Sequence, residues 1–313
     1  MKLFVAPGCL DVYRALALED LFLEDPVAEE GVLFCWAGPE AVVMGKNQNP
    51  WRECNLPWIQ EQELLLARRV SGGGAVYHDP ENLNISWILP REGYRSDEIH
   101  GVLIRSLARC GFKAELGKGG SIAVAGKKIS GSAYCYRKDR VLHHGTLLID
   151  ADLAKLRSAL SPPHFRMQTH AVASQPAPVV NLKMLDPEMS RDKIEQALRV
   201  EAEAMFGELA LMGEEEIATA LWDAGAERLK SEAWIWEQTP GFRSEFALAD
   251  GRVLATRIHK GRMTELQVDG VVMEELREAP KFPEGDFGEI EQVLGLDAGV
   301  LGARLRDLGW GRG

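Results

Sequence analysis

Two short motifs in this 313-residue chain carry residue types that could bind an anion. The first, residues 68–79, places Ser71 and three consecutive glycines between two short apolar runs. Three glycines remove every side chain, so the backbone can approach a ligand closely and direct several amides at one anion. The second, residues 126–133, puts Lys128 just ahead of a Ser-Gly-Ser turn, where a cation could neutralise that anion. Together the motifs predict a site for a phosphate or an acyl phosphate.

Each motif also has a purely structural interpretation. Residues 71–74, called the glycine loop below, could be a flexible hairpin tip, and Lys127 and Lys128 could both be solvated turn residues. A triple glycine is entropically costly to order, and Arg69 and His78 bracket it here, so we favour ligand binding. With the glycine loop upstream, Lys128 is predicted to reach the ligand and Lys127 to be solvated.

Adjacent histidines and alternating asparagines supply further candidates. His143 and His144 follow one another on a predicted strand and must face opposite ways, so they cannot form a two-histidine metal pair, and we predict no metal site. One of them could orient the glycine loop. A Ser-His-Asp triad stays open, although the chain has no nucleophile-elbow sequence. Asn82 and Asn84 share a strand face and could bind a ligand or serve a turn.

The elements that position these motifs are predicted to be short strands interleaved with helices. Strands are predicted over residues 3–5, 31–36, 41–44, 64–70, 75–78, 83–89, 122–125, 128–130 and 141–149, and helices over 11–24, 96–110, 188–206 and 214–221. Residues 31–36 and 41–44 are expected to form one hairpin, and residues 122–130 another. Residues 161–180, which are rich in proline, are expected to form an ordered loop.

Most of these strands arrive as hairpins, which favours a mixed or antiparallel sheet over a doubly wound parallel one. The glycine loop joins two strands, whereas a Walker loop or a dinucleotide fingerprint must open a helix. After residue 240 the pattern changes to strands at 242–249, 252–259 and 262–268, followed by a helical tail from about Phe287. We therefore predict a main domain over 1–239 and a small α+β domain over 240–313.

Composition excludes several classes of protein. The formal net charge of −11 disfavours a nucleic-acid partner, because a phosphate backbone attracts basic faces. The five cysteines are scattered and include no Cys-x-x-Cys pair, which argues against a disulfide framework or a structural zinc site and favours the reducing cytoplasm. The apolar start of the chain is too short for a signal peptide, and no apolar run approaches the ~20 residues of a membrane helix.

At these residues the chain resembles the lipoate–protein ligase A family of the biotin/lipoyl ligase superfamily. The matching segments, in the family's order, are residues 45–55, 68–79, 82–84, 128–133, 143–148 and 181–182. The resemblance implies an α+β fold, with a mixed or antiparallel catalytic sheet like that of class II synthetases. It also implies a small C-terminal accessory domain, in agreement with the pattern change near residue 240.

The implied chemistry has two steps. Lipoate and MgATP give lipoyl-AMP and pyrophosphate, and a lysine amine of a carrier then takes the lipoyl group. The implied carriers are lipoyl domains of 2-oxoacid dehydrogenase E2 subunits or the glycine cleavage H protein. By motif, Lys128 corresponds to the family's essential lysine, which contacts the α-phosphate and the carboxyl oxygen. The predicted binding residues are Arg69, Ser71, Gly72, Gly73, Gly74, Ala75, Val76, Tyr77, Asn82, Ser130 and His144.

Two departures from the family keep alternatives open beside an ATP-dependent ligase. Gly120-Ser121 stands where many ligases carry Asn-Asp, and Pro176 and Pro178 resemble the segment of eukaryotic lipoyltransferases. The chain could therefore be a lipoyltransferase that uses an activated or protein-bound donor, or a non-catalytic binding paralogue. The cysteine mechanism of octanoyltransferases is disfavoured, because Cys135 lies away from the position of their nucleophile.

Overall fold

The computed structural model describes residues 1–24, 29–163, 166–248 and 251–272. Its strands are β1 (Lys2–Cys9), β2 (Val32–Ala37), β3 (Ala41–Met44), β4 (Leu65–Arg68), β5 (Val76–His78), β6 (Asn82–Pro90), β7 (Ala114–Leu116), β8 (Ile122–Val124), β9 (Lys127–Arg137), β10 (Arg140–Leu148), β11 (Arg166–Thr169), β12 (Ala210–Leu211), β13 (Phe242–Ala247), β14 (Val253–His259), β15 (Arg262–Val268) and β16 (Val271–Val272). Its helices are α1 (Val12–Phe22), α2 (Pro50–Glu53), α3 (Leu56–Glu61), α4 (Ser96–Arg109), α5 (Leu153–Ala159), α6 (Leu182–Leu185), α7 (Arg191–Phe206), α8 (Thr219–Lys230) and α9 (Glu232–Ile235), with 3-10 turns at Lys118–Gly120 and Glu214–Glu216.

An eight-stranded mixed sheet forms the centre of the molecule, in the order β12-β1-β2-β6-β10-β9-β8-β7. Strand β1 is parallel to both of its neighbours, and every other pairing in the sheet is antiparallel. Helices α1 and α8 pack together on one face of this sheet, and α4 and α7 pack together on the other. The mixed sheet with helices confirms the predicted α+β fold class.

A second, three-stranded sheet carries the glycine loop, in the order β4-β3-β5. The predicted hairpin of residues 31–36 and 41–44 is wrong, because β2 belongs to the large sheet while β3 pairs with β4 and β5. Both β2 and β3 are buried at every position. A strand buried on both faces shows no alternation that would identify its partner. The glycine loop therefore crosses the end of β3 and does not close a hairpin.

Local signals account for the other boundaries. The Asp11 carboxylate accepts from the amides of Tyr13 and Arg14 at 3.0 Å and caps α1. The predicted β8–β9 hairpin is present, with positive φ at Ala125 and Gly126. The helix predicted over 214–221 instead begins at Thr219 and continues to Lys230, after a separate 3-10 turn.

The strands predicted after residue 240 form a third sheet, in the order β11-β13-β14-β15-β16. Its edge strand β11 comes from within the proline-rich segment 161–180. The ring of Phe242 on β13 lies 5.2 Å from that of Trp51, so this sheet shares an apolar cluster with the start of α2. The predicted helical tail lies outside the described residues, and the domain division near residue 240 stays a prediction. No described helix has the length and apolarity of a membrane span.

A fully buried arginine ties the small sheet to the segments around it. The guanidinium of Arg68 donates to the carbonyl oxygens of Gly45, Lys46, Gln48 and Ile235 at 2.6–3.4 Å, and its Nη2 also reaches the Thr239 hydroxyl at 2.8 Å. Burial lowers the pKa of Arg68 to about 10. The side chain connects two segments that are distant in the chain, 45–48 and 235–239, without a carboxylate partner among the described residues.

We expect Arg68→Met to lower the free energy of unfolding by about 3 kcal/mol or more, because several buried carbonyls would lose their donor together. Urea unfolding followed by tryptophan fluorescence measures the change. Arg199→Met on the exposed side of α7 is the matched control and should cost less than about 0.5 kcal/mol. Equal effects at the two positions would contradict the anchoring role of Arg68.

Candidate functional site

A cavity of about 500 Å³ opens where the small sheet meets the large one. Its walls come from the glycine loop, from β9 and β10, from the turn at 118–121 and from residues 172–177. Of the predicted site residues, the lining contains Arg69, Gly73, Gly74, Ala75, Val76, Lys128 and His144. Two motifs about 55 residues apart in the chain thus border one space.

The guanidinium of Arg69 determines which way the glycine loop faces. Arg69 is buried, and its Nη2 donates to the carbonyl oxygens of Gly72 at 2.6 Å and Gly74 at 2.8 Å. In a trans peptide the C=O and the following N–H point in opposite directions. The amides of Gly73 and Ala75 are therefore turned away from the guanidinium. The Ala75 amide donates to Ser174 Oγ at 3.0 Å, and the Gly73 amide remains as a donor for an anion.

A chain of hydrogen bonds connects Arg69 to the buried carboxylate of Glu19. Its Nε donates to Ser71 Oγ at 2.9 Å, Ser71 Oγ lies 2.7 Å from His144 Nε2, and His144 Nδ1 lies 2.9 Å from Glu19 Oε1. Because a carboxylate only accepts, we assign the proton to Nδ1, so that Nε2 accepts from the serine. Ser71 is 1% exposed and lies outside the cavity lining. The Ser-His-Glu array therefore holds the loop and does not present a nucleophile.

Lys128 carries a partly buried ammonium group on the cavity wall. Burial lowers the pKa of Lys128 from its ordinary value. A Cβ atom on Gly131 would lie 2.8 Å from Lys128 Nζ, so the missing side chain of Gly131 makes room for the ammonium. Within the described residues no carboxylate pairs with it, which leaves the charge available to a ligand. Lys127, the preceding residue, is exposed.

Four buried polar atoms in the lining have no hydrogen-bond partner among the described residues: Glu19 Oε2, Trp36 Nε1, His78 Nδ1 and Asn84 Nδ2. Leu16, Val43 and Val76 line the same cavity, so its lining mixes apolar and polar groups. Burial and the nearby Arg69 cation lower the pKa of His78 to about 3, so its ring is neutral near pH 7. Unpaired buried groups of this kind are costly unless a ligand or water satisfies them.

His143 faces the opposite side of β10 from His144. Its Nδ1 lies 3.0 Å from the hydroxyl of Tyr94, and its ring packs against Tyr134 and His100. Burial lowers the pKa of His143 to about 3. No group of three or more His, Cys, Asp or Glu residues within the described ranges could hold a metal ion.

Several predicted site residues lie elsewhere. Tyr77 donates its hydroxyl to Glu40, Asn82 donates to the carbonyl of Tyr77, and Ser130 borders a small space beside His143. Ser71 and Gly72 support the loop without lining the cavity. The sequence analysis did not identify Glu19 and Trp36, which line the cavity. The signal available for Glu19 was a carboxylate on the apolar face of α1, where an acid needs a buried partner.

Comparison with known proteins identifies the family of this chain. The model of the lipoyl protein ligase A/B catalytic domain matches residues 11–203, and the chain belongs to this family. It is 36% identical over 198 residues to a lipoate-protein ligase A of Bdellovibrio bacteriovorus, covering 62% of this chain and 58% of that protein. A lipoate-protein ligase A of Psychrobacter cryohalolentis is also 36% identical, over 183 residues, with 58% and 54% covered. The chain thus spans less than two thirds of these relatives.

Solved structures share the fold. LipL1 of P. falciparum in complex with lipoate superposes with a TM-score of 0.68 at 24% identity, over 85% of this chain and 84% of that one. A lipoate-protein ligase A bound with ATP gives 0.63 at 22% identity, over 74% and 97%. A bipartite lipoate protein ligase from Thermoplasma acidophilum, described with its E2 lipoyl domain, gives 0.62 at 22%, over 75% and 95%. At these identities the likeness concerns the fold alone.

The glycine loop offers a matched pair of substitutions. Gly73 has φ +85°, and a Cβ there would lie 2.9 Å from Arg69 Nη2, whereas a Cβ on Gly72 would meet nothing within 4 Å. We expect Gly73→Ala to destabilise the protein by about 1–2 kcal/mol and Gly72→Ala to change stability by less than about 0.5 kcal/mol. Urea unfolding of both variants checks this, and equal losses would contradict the described loop conformation.

Proposed function

We propose that this protein is an ATP-dependent lipoate–protein ligase that forms lipoyl-AMP and transfers the lipoyl group to a lysine of a carrier domain. The observation that carries the proposal is the pairing of an uncompensated ammonium, Lys128, with the amide side of the glycine loop in one cavity. An acyl-adenylate has a phosphate, a carbonyl and a long acyl chain, and the cavity offers them a cation, the Gly73 amide and apolar side chains.

The names of the relatives support this proposal. Two proteins at 36% identity are called lipoate-protein ligase A, and neighbours in fold are described with lipoate or ATP. The proposed acceptors are lipoyl domains of 2-oxoacid dehydrogenase E2 subunits or the glycine cleavage H protein. We propose a cytoplasmic enzyme with neither nucleic-acid nor membrane partners.

In the first step a lipoate carboxylate oxygen attacks the α-phosphorus of ATP, and pyrophosphate leaves. Negative charge builds on the α-phosphate oxygens, and a fixed ammonium at Lys128 would stabilise it. The amide of Gly73 would add a second donor. We propose that magnesium enters as part of the MgATP substrate. Among the described residues that line the cavity, Glu19 is the only one with a carboxylate. Its Oε1 already accepts hydrogen bonds from Ser86 and His144.

In the second step the neutral ε-amine of the carrier lysine attacks the acyl carbonyl, and AMP leaves with the electrons of the cleaved C–O bond. The amine releases one proton to water as the amide forms. Charge moves onto the carbonyl oxygen in the transition state, and Lys128 would again be the nearby cation. One ammonium could thus serve both steps, since both develop charge at the same acyl phosphate junction.

A second candidate is a lipoyltransferase that receives an already activated donor. The observation that favours it is the turn at 118–121, which lines the cavity with Lys118, Gly119 and Ser121 and supplies no carboxylate. Such a turn could hold an adenylate without taking part in its formation. The two candidates differ in whether ATP is consumed.

The deciding experiment incubates the protein with ATP, lipoate and an apo lipoyl domain, and in parallel with preformed lipoyl-AMP and the same domain. The ligase predicts lipoylated product in both reactions, read by intact mass. Product from lipoyl-AMP alone would select the transferase. Binding of lipoyl-AMP without product in either reaction would select a non-catalytic binding protein.

Lys128→Ala is expected to lower kcat/KM for lipoylation about 100-fold or more, because a preorganised cation at developing charge is worth that much. Lys127→Ala, one residue away and exposed, should stay within about twofold of wild type. An equal loss in both alanine variants would refute the assignment.

The lowered pKa of Lys128 predicts a pH dependence. Its charge is present below that pKa and is lost on the alkaline side earlier than for an ordinary lysine. We therefore expect kcat/KM for lipoylation, measured in a pH series, to fall on the alkaline side.

A further inference from the structure

One wall of the cavity is an extended segment fixed at two separate places. Residues 171–180, called the strap below, run from the end of β11 to the start of α6, and residues 172–177 line the cavity. The downstream anchor is the backbone of Lys128, whose amide donates to Pro178 O at 2.9 Å and whose carbonyl accepts from Val180 N at 3.1 Å. The upstream anchor combines side chains with the amide of Val172, which donates to Asn47 O at 3.0 Å.

The upstream anchor centres on Gln48, which is fully buried. Its Oε1 accepts from the amide of Gly45 at 2.9 Å, and its Nε2 donates to Ser174 Oγ at 3.0 Å. Gly45 lies directly against the glycine loop, because a Cβ there would come within 2.2 Å of the Gly73 carbonyl oxygen. One amide side chain therefore bonds the strap and the segment that supports the loop.

Ser174 completes the connection from the strap side. Its Oγ also accepts from the amide of Ala75 at 3.0 Å, and its own amide donates to the buried Glu53 carboxylate at 2.9 Å. The fit is close, since a Cβ on Gly74 would lie 3.0 Å from Ser174 Oγ. The Ser174 hydroxyl thus receives two donors, one from Gln48 and one from Ala75, the residue directly after the glycine loop.

We propose that Gln48 and Ser174 form a clasp that holds the strap against the glycine loop and so retains the acyl-adenylate between the two steps. Both are positioning residues that act through the strap. This inference rests on the proposed function for its ligand, although the clasp itself is a property of the protein alone. Between the anchors, Gln175, Pro176 and Ala177 are exposed. Loss of the clasp would remove the side-chain bonds that hold this stretch to Gln48 and to the end of the glycine loop, while the bonds of the Val172 and Ser174 amides would remain.

Retention matters because the intermediate is a mixed anhydride that water hydrolyses. An adenylate that escapes before a carrier arrives consumes ATP without product. Enclosure both excludes water and strengthens the electrostatic contacts inside the cavity. A hydrogen bond lost from the rim should therefore appear as faster escape, while the chemistry at Lys128 is left in place.

The test compares Ser174→Ala and Gln48→Met with Ser174→Thr, which restores the hydroxyl, and with Ser161→Ala. Ser161 is an exposed serine at the start of the same loop, and its hydroxyl donates to Arg157 O. The first measurement is amide hydrogen exchange over residues 172–177 in the unliganded protein. The second is the dissociation rate of preformed lipoyl-AMP, with AMP release from ATP and lipoate without a carrier as its counterpart.

We expect exchange over 172–177 to accelerate in Ser174→Ala and Gln48→Met, and lipoyl-AMP to dissociate about tenfold faster. The Ala75 amide in the first variant and the Gly45 amide in the second lose their acceptors and should also exchange faster, with peptides remote from the cavity unchanged. Ser174→Thr and Ser161→Ala should match wild type. Unchanged exchange in the first two variants would overturn the clasp. Faster exchange with an unchanged dissociation rate would overturn its retaining role.

Failure of the proposed function gives a different pattern. Wild-type protein would then neither make nor bind lipoyl-AMP, while the exchange comparison would still decide whether Gln48 and Ser174 hold the strap.

Discussion

The guanidinium of Arg69 bonds two carbonyl oxygens of the glycine loop, and the geometry of the whole site follows from those bonds. A free triple glycine samples many conformations, and ordering it costs conformational entropy. With two carbonyls held on one side, the Gly73 amide is directed away from the guanidinium. The ligand then meets a donor that was ordered during folding, so little reorganisation remains for the moment of binding.

That arrangement places a buried cation beside the ligand, and the structure balances it at a distance. Glu19, 1% exposed, reaches Arg69 only through His144 and Ser71. Burial lowers the pKa of Arg69 to about 10, and the Glu19 charge opposes that shift. An acid bonded directly to the guanidinium would compete with the loop carbonyls for its N–H groups. A relay through His144 and Ser71 keeps the carboxylate near the cation and leaves the Nη2 group of Arg69 free to hold the loop carbonyls.

The elements and site residues that could be predicted from the sequence are those marked by a short, local sequence pattern. The helix predicted from residue 11, the β8–β9 hairpin and the strands after residue 240 follow from short patterns, and the structure contains them. The pairing of β3 could not be predicted, because a strand buried on both faces shows no alternation of polar and apolar residues. Sequence motifs named the loop and Lys128, but Glu19 and Gln48 act through contacts between segments that are distant in the chain. Only the fold brings those residues together.

The net charge of the whole chain differs in sign from the charge of the cavity lining. The whole chain carries −11, yet the described cavity lining holds Arg69, Lys118 and Lys128 against the single carboxylate of Glu19. Exposed charges beyond a Debye length of about 8 Å are largely screened, so the acidic surface contributes little inside the cavity. The negative net charge therefore disfavours binding of large polyanions, which would have to cover the surface. The local excess of cations decides whether a small phosphate-bearing ligand can enter, and here it favours one.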